Sequence, residues 1–156
     1  METGSLRYEG RVKGQGRPRG SVVRSAGRVS VGMHKDPRDR SYERALASLY
    51  EGPRFPEGVP VAVEVVVMRS LPASLERKTR RVTRHDVFKP DADNILKSVL
   101  DALTGVAYED DSQVTTAVVR KMDQVPAGGT DVLVVSVRAD EVLGGGDVVE
   151  CELHEG

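Results

Sequence analysis

KPDADNILKSVLDALTGVAYEDDSQV, from Lys89 to Val114, is the stretch on which the reading of the fold turns. Pro90 disfavours the helical region for the residue before it, so Lys89 is extended and Asp91 opens a helix. At about 100° per residue, Ile95, Val99 and Leu103 fall on one side, with Leu96 and Leu100 beside them. Asp93, Asn94, Lys97 and Asp101 share the opposite arc, and Asp93 and Lys97 form an i,i+4 pair of opposite sign. Gly105 supplies the C-terminal stop. Tyr108-Glu109-Asp110-Asp111 then forms an acidic cluster leading into Val114–Met122, whose β-branched run reads as a strand.

Outward from this segment the pattern alternates between strand and helix. Val61, Val63, Val65 and Val67 give one uniformly apolar face and leave the other nearly so, as in an interior strand. Leu6–Lys13 reads as a first strand, and Val22–Val31 as strand-like with a turn at Ser25-Ala26-Gly27. Asp36-Pro37 or Asp39 starts a short helix through Tyr42, Ala45, Leu46 and Leu49 that stops near Gly52-Pro53. Val132–Val137 reads as a strand joined to Val114–Met122 by a hairpin connection at Pro126-Ala127-Gly128-Gly129. The expectation is one α+β domain over residues 1–140, with a mixed or antiparallel sheet of about five strands and two helices. Residues 141–156 read as an acidic, Gly-rich tail.

Composition narrows the class. The formal charge of the 156 residues is −1, but its distribution is uneven. Residues 1–90 hold 19 Lys/Arg against 10 Asp/Glu, while 91–156 hold 4 against 14, so the halves carry +9 and −10. Such asymmetry points to a polyanion-facing part and a cation-binding or solvating part. A single cysteine, Cys151, excludes an intrachain disulfide framework and a multi-Cys zinc site. METGSLRYEG has no apolar core for a signal peptide, and Val61–Met68, interrupted by Glu64, is far short of a membrane span. With no Trp and two Phe, a base-stacking platform is not expected. The loop Gly14-Gln15-Gly16-Arg17-Pro18-Arg19-Gly20 lacks the glycine register of a dinucleotide fingerprint, so no nucleotide cofactor is expected; it reads as a basic arm. His34, His85 and His154 are scattered and do not suggest a His-based site.

The carboxylates of the opening segment suit divalent-metal chemistry. Mg²⁺ and Mn²⁺ take hard oxygen ligands, typically one or two carboxylates with waters and phosphate oxygens. Asp91 and Asp93 at a helix start, with a third acid from a strand edge, could hold such ions for phosphodiester hydrolysis. Each acid alone has a plainer use, Asp91 or Asp93 as a helix N-cap and Asp110 or Asp111 in a turn. Capping uses one acid and leaves its neighbour unexplained.

The same segment closely resembles the signature of the RusA family of Holliday junction resolvases, approximately P-D-x-D-N-x-x-K-x-x-x-D-A-L followed by D-D-x-Q. The resemblance implies a small α+β homodimer that uses Mg²⁺, with Mn²⁺ as an alternative, to nick four-way DNA junctions symmetrically. It places the catalytic, metal-binding carboxylates on Asp91, Asp93 and Asp111 and the functional lysine on Lys97. Asn94, Asp101, Asp110 and Gln113 match supporting positions. Two departures concern substrate preference: His85-Asp86-Val87-Phe88 separates Arg84 from Lys89, and the acidic extension lies outside the pattern.

Arg77, Lys78, Arg80, Arg81, Arg84 and Lys89, with Arg17 and Arg19, are the candidate DNA contacts, since such side chains bind phosphates without reading sequence. A charge run is more commonly a solvated loop, and only the adjoining motif argues otherwise. The expectation is a cytoplasmic, bacterial or phage-encoded nuclease of recombination and repair that acts on branched DNA. The rival readings are a phage-type nuclease for other branched or forked DNA and a junction-binding protein that does not cut.

Overall fold

The computed structural model describes residues 2–16, 19–70, 86–123 and 129–141. Strands β1 (Thr3–Glu9), β4 (Val61–Arg69), β5 (Val114–Asp123) and β6 (Val132–Ala139) form one sheet in the order β1-β6-β4-β5. β6 runs antiparallel to both β1 and β4, whereas β4 and β5 are parallel. β2 (Arg19–Ser25) and β3 (Arg28–His34) form a separate antiparallel ribbon turning at Ala26-Gly27. Helices α1 (Pro37–Leu49) and α2 (Ala92–Leu103) complete the described elements, with a 3₁₀ turn at Asp111–Gln113. The α+β class, the mixed sheet and both helices match the sequence reading.

Val-rich β4 is central because both its edges and one whole face are buried. Val61, Val63, Val65 and Val67 pack with Leu133, Val135 and Val137 of β6 against Ile95, Val99 and Leu103 of α2. Burying each such side chain stabilises the fold by about 1.5–3 kcal/mol. The apolar stripe read along α2 is therefore its sheet-facing side. On α1, Tyr42 and Leu46 face the core, and Tyr42 meets Tyr8 of β1 edge to face with ring centroids 5.3 Å apart. Asp36 caps α1, its carboxylate accepting from Arg38 N at 2.8 Å.

One connection differs from the expectation. β5 and β6 are not a hairpin: β6 lies on the far side of β4, which separates the two. An interior strand pairs its backbone N–H and C=O groups at both edges, and β5 reaches the second edge of β4 through α2 as a parallel crossover. The strand-like Val22–Val31 is likewise an independent ribbon, with Val22, Val29, Val31 and Met33 exposed. Among the described residues, no helix is long and apolar enough to cross a membrane. The expected tail lies outside the described residues beyond Glu141.

Candidate active site

The β4-α2-β5 crossover fixes where each acid stands. β4 ends at Arg69, whose Nη1 donates to Asp86 Oδ2 at 3.0 Å and to the Lys89 carbonyl, tying the approach to α2 onto the top of the sheet. Asp86 is fully buried at its side chain and also accepts from Phe88 N at 2.9 Å. The end of β5 holds the same segment, since Lys121 O accepts from Asp86 N at 3.0 Å and Lys121 Nζ donates to Phe88 O. Asp91 follows directly.

Asp91 occupies the N-cap position of α2 but makes no side-chain cap hydrogen bond. Its Oδ2 instead accepts from Lys89 Nζ at 2.7 Å. Asp93, in the first turn, is exposed. The plainer use of these acids, N-capping, thus accounts for neither carboxylate. Lys97 is exposed one turn further on, and Asp93 and Lys97 make no ion pair with each other among the described residues.

The other motif residues divide by task. Asn94 supplies its carbonyl to Gln15 N at 3.0 Å. Asp101 Oδ2 accepts from Gln15 Nε2 at 2.6 Å and from Lys35 Nζ at 2.8 Å, which fastens the loop after β1 and the end of the ribbon to α2. Burial opposes the charge of Lys35, but its bonds to Asp101 and Glu43 outweigh it and raise the ammonium pKa.

The acidic cluster before β5 sorts similarly. Glu109 pairs with Arg54 at 2.9 Å. Asp110 caps the 3₁₀ turn, and its hydrogen bond from Ser112 holds its carboxyl below the usual range. Gln113 is a buried clamp: its Oε1 accepts from Glu109 N and Asp110 N, while its Nε2 donates to Pro56 O and Val59 O. Asp111 is exposed at the first position of the turn. Tyr108 is buried below it, with its hydroxyl donating to Leu100 O at 2.9 Å. Burial first, and the Asp111 charge second, raise the pKa of that phenol.

Asp91 and Asp93 therefore stand together at the head of α2, whereas Asp111 stands near its foot. At about 1.5 Å per residue, the helix between them is roughly 18 Å long. No three His, Cys, Asp or Glu side chains gather into a metal-binding group among the described residues. The helix and the parallel strand after it enforce this separation within one chain.

Of the candidate DNA contacts, Lys89 is exposed beside Asp91. Arg17, Arg77, Lys78, Arg80, Arg81 and Arg84 lie outside the described residues, as does the side chain of Arg19. The sequence reading left out Arg11, Lys13, Arg38 and Arg69, which converge with Lys89 around one cleft. Their clustering has no local sequence signal, because the loop after β1 that holds Arg11 and Lys13 is far in sequence from Arg38 of α1 and Arg69 of β4.

The family model described as endodeoxyribonuclease RusA matches residues 9–136. The chain belongs to the RusA family. That match spans all the elements from the end of β1 into β6, so it includes both acidic ends of the crossover. The chain is thus an endodeoxyribonuclease of the Holliday junction resolvase class, with branched DNA as its partner. It is also 34% identical over 116 residues to the uncharacterized protein YqaN of Bacillus subtilis (strain 168), covering 69% of this chain and 78% of that protein.

Proposed function

We propose that this RusA-family chain is a Mg²⁺-dependent homodimer that resolves four-way junctions by paired, symmetric nicks during recombination and repair. The observation that carries the reading is the Asp91–Asp93 pair, whose carboxylates are not used to cap the helix they begin. Asp91, Asp93 and Asp111 are hard oxygen donors fit for Mg²⁺, or for Mn²⁺ in its place. A divalent ion so held supplies a water of lowered pKa and neutralises charge on the scissile phosphate. Lys89 balances Asp91, and Lys97 orients the attacking water or balances charge on the departing oxygen.

The crossover gives a reason for two copies. β5 hydrogen-bonds as a strand to β4 alone among the described residues, and its alternation turns the N–H and C=O groups of Ala117 and Val119 to the same side as Lys121, away from β4. In the proposed dimer two β5 edges pair antiparallel about a two-fold axis, which sets the Asp111 end of one copy toward the Lys121 end of the other. Such a pairing brings one copy's Asp111 toward the other copy's Asp91 segment. Two composite sites then face the two-fold symmetry of a four-way junction.

A labelled four-way junction, a fork and plain duplex, each incubated with Mg²⁺ or EDTA, test the function. Cleavage is expected with Mg²⁺, preferentially of the four-way junction, and is lost in Asp93→Asn while binding persists. Full nicking by Asp93→Asn overturns the site assignment. Binding of the junction by the wild type without any Mg²⁺-dependent cutting overturns the nuclease mechanism.

A further inference from the structure

The loop after β1 is built onto the head of α2 by close backbone contact. A Cβ at Gly14 would lie 2.8 Å from Pro90 Cβ and 2.9 Å from Asn94 Cβ, so only glycine lets the loop approach this far. On either side, Val12 N donates to Asp131 Oδ2 at 3.1 Å and Gln15 N to Asn94 O at 3.0 Å. Gly16 N donates to Asp39 Oδ2 at 3.2 Å, which anchors the loop to α1. These contacts frame a cleft of about 530 Å³ between the loop, α1, the end of β4 and the segment entering α2.

Its wall carries five cations and no carboxylate: Arg11, Lys13, Arg38, Arg69 and Lys89. Arg69 is committed to Asp86, and Lys89 to Asp91. Arg11, Lys13 and Arg38 have no ion pair among the described residues, although Asp36 and Asp39 lie on the same turn as Arg38. Three uncompensated cations in a concave wall concentrate positive potential and favour an anion. The cleft is larger than a single inorganic ion requires, and Lys89 bridges it to Asp91.

We infer that this cleft is a phosphodiester-binding subsite, in which Arg11, Lys13 and Arg38 grip a backbone phosphate flanking the one to be cut. The inference rests on the reading of Asp91 and Asp93 as the cutting centre and adds where the strand is held. The backbone hydrogen bonds at Val12, Gln15 and Gly16 make the cleft preformed, so the strand is positioned by docking rather than by ordering of the loop. Arg11, Lys13 and Arg38 are positioning residues that act on the strand beside the reacting phosphate.

The test is junction binding with Ca²⁺ in place of Mg²⁺, across a salt series, for the wild type and for Arg11→Gln, Lys13→Gln and Arg38→Gln singly and combined. The three substitutions together are expected to flatten the slope of log K against log salt by about 0.9, one phosphate contact, and each alone by less. Arg11→Lys and Arg38→Lys are expected to keep the slope, and wild-type thermal melting of the triple variant certifies its fold. Junctions bearing one neutral methylphosphonate at successive positions then locate the phosphate. The wild type is expected to lose affinity at a position within a few nucleotides of the nick, and the triple variant to be indifferent there. A folded triple variant with the wild-type slope, or with the wild-type methylphosphonate profile, overturns the proposal. A wild type that cuts nothing but shows the methylphosphonate effect overturns the nuclease reading and leaves the subsite standing.

Discussion

Arg69 closes β4 onto Asp86 through a 3.0 Å ion pair in which the carboxylate is wholly buried and the guanidinium nearly so. The same guanidinium reaches the backbone at Phe88 and Lys89, so one side chain fixes the path of the chain into Asp91. Asp86→Ala leaves that cation buried without its counter-ion, at an expected cost of about 3–5 kcal/mol. Chemical denaturation measures this, and a loss under 1 kcal/mol contradicts the strut. Cleavage by the folded fraction should fall as well, because the approach to Asp91 loses its anchor.

The opposite ends of the crossover give a sharper prediction. Asp93→Asn and Asp111→Asn should each be inactive alone. Mixed and allowed to exchange subunits, they should regain nicking, since one of the two composite sites then has all its carboxylates. The recovered activity should consist of single nicks rather than paired ones, as read on a junction labelled in all four strands. Continued inactivity in a verified heterodimer means that the three acids do not work across two copies.

The caps of the two helices separate structure from chemistry. Asp36 bonds Arg38 N, so Asp36→Ala should cost about 1 kcal/mol. Asp91 makes no such bond, and Asp91→Asn should change stability by less than about 0.5 kcal/mol while abolishing cleavage. Thermal melting of the two variants side by side decides whether Asp91 is held for the fold or for the reaction.

Asp110 supplies a pH dependence with a defined sign. Its folded pKa lies below the ordinary 3.8 because the carboxylate accepts from Ser112. Stability from this source is complete above pH 3.8 and is lost as pH falls through the lower, folded value. Asp110→Asn keeps an acceptor for Ser112 N without the titration. The melting difference between wild type and variant should therefore be flat above pH 3.8 and shrink below it.

Gln113 should behave as a framework residue. Gln113→Ala leaves two N–H groups and two carbonyls without their partner, at an expected cost of about 2 kcal/mol or more. Gln113→Glu should be worse than alanine, because a carboxylate cannot donate to Pro56 and Val59. Denaturant titration of the pair ranks them.

Helix α2 was legible in the sequence because its apolar spacing is regular and the motif around it is compound. The same reading brought Asp91, Asp93 and Asp111 into one list, but a linear motif carries no sign of which end of the helix each acid occupies. Asp110 and Asp111 are neighbours of one type, and it is the bonds of Asp110 to Gln113 Oε1 and from Ser112 N that show which of them is fixed in the turn. The hairpin expected between β5 and β6 was read from proximity in sequence, whereas pairing is decided by the burial of both edges of β4. Arg11, Arg38 and Arg69 carry no linear sign of their grouping, because they lie far apart in sequence and only the fold brings them to one cleft.

The β4-α2-β5 crossover also bears on when the protein works. If half of each cutting centre belongs to another copy, specific activity vanishes on dilution below the dimer dissociation constant, without any inhibitor. A cell holding few copies would then carry an inert nuclease, and accumulation on a junction, by raising local concentration, would itself switch cutting on. Scarcity becomes a safeguard for intact duplex.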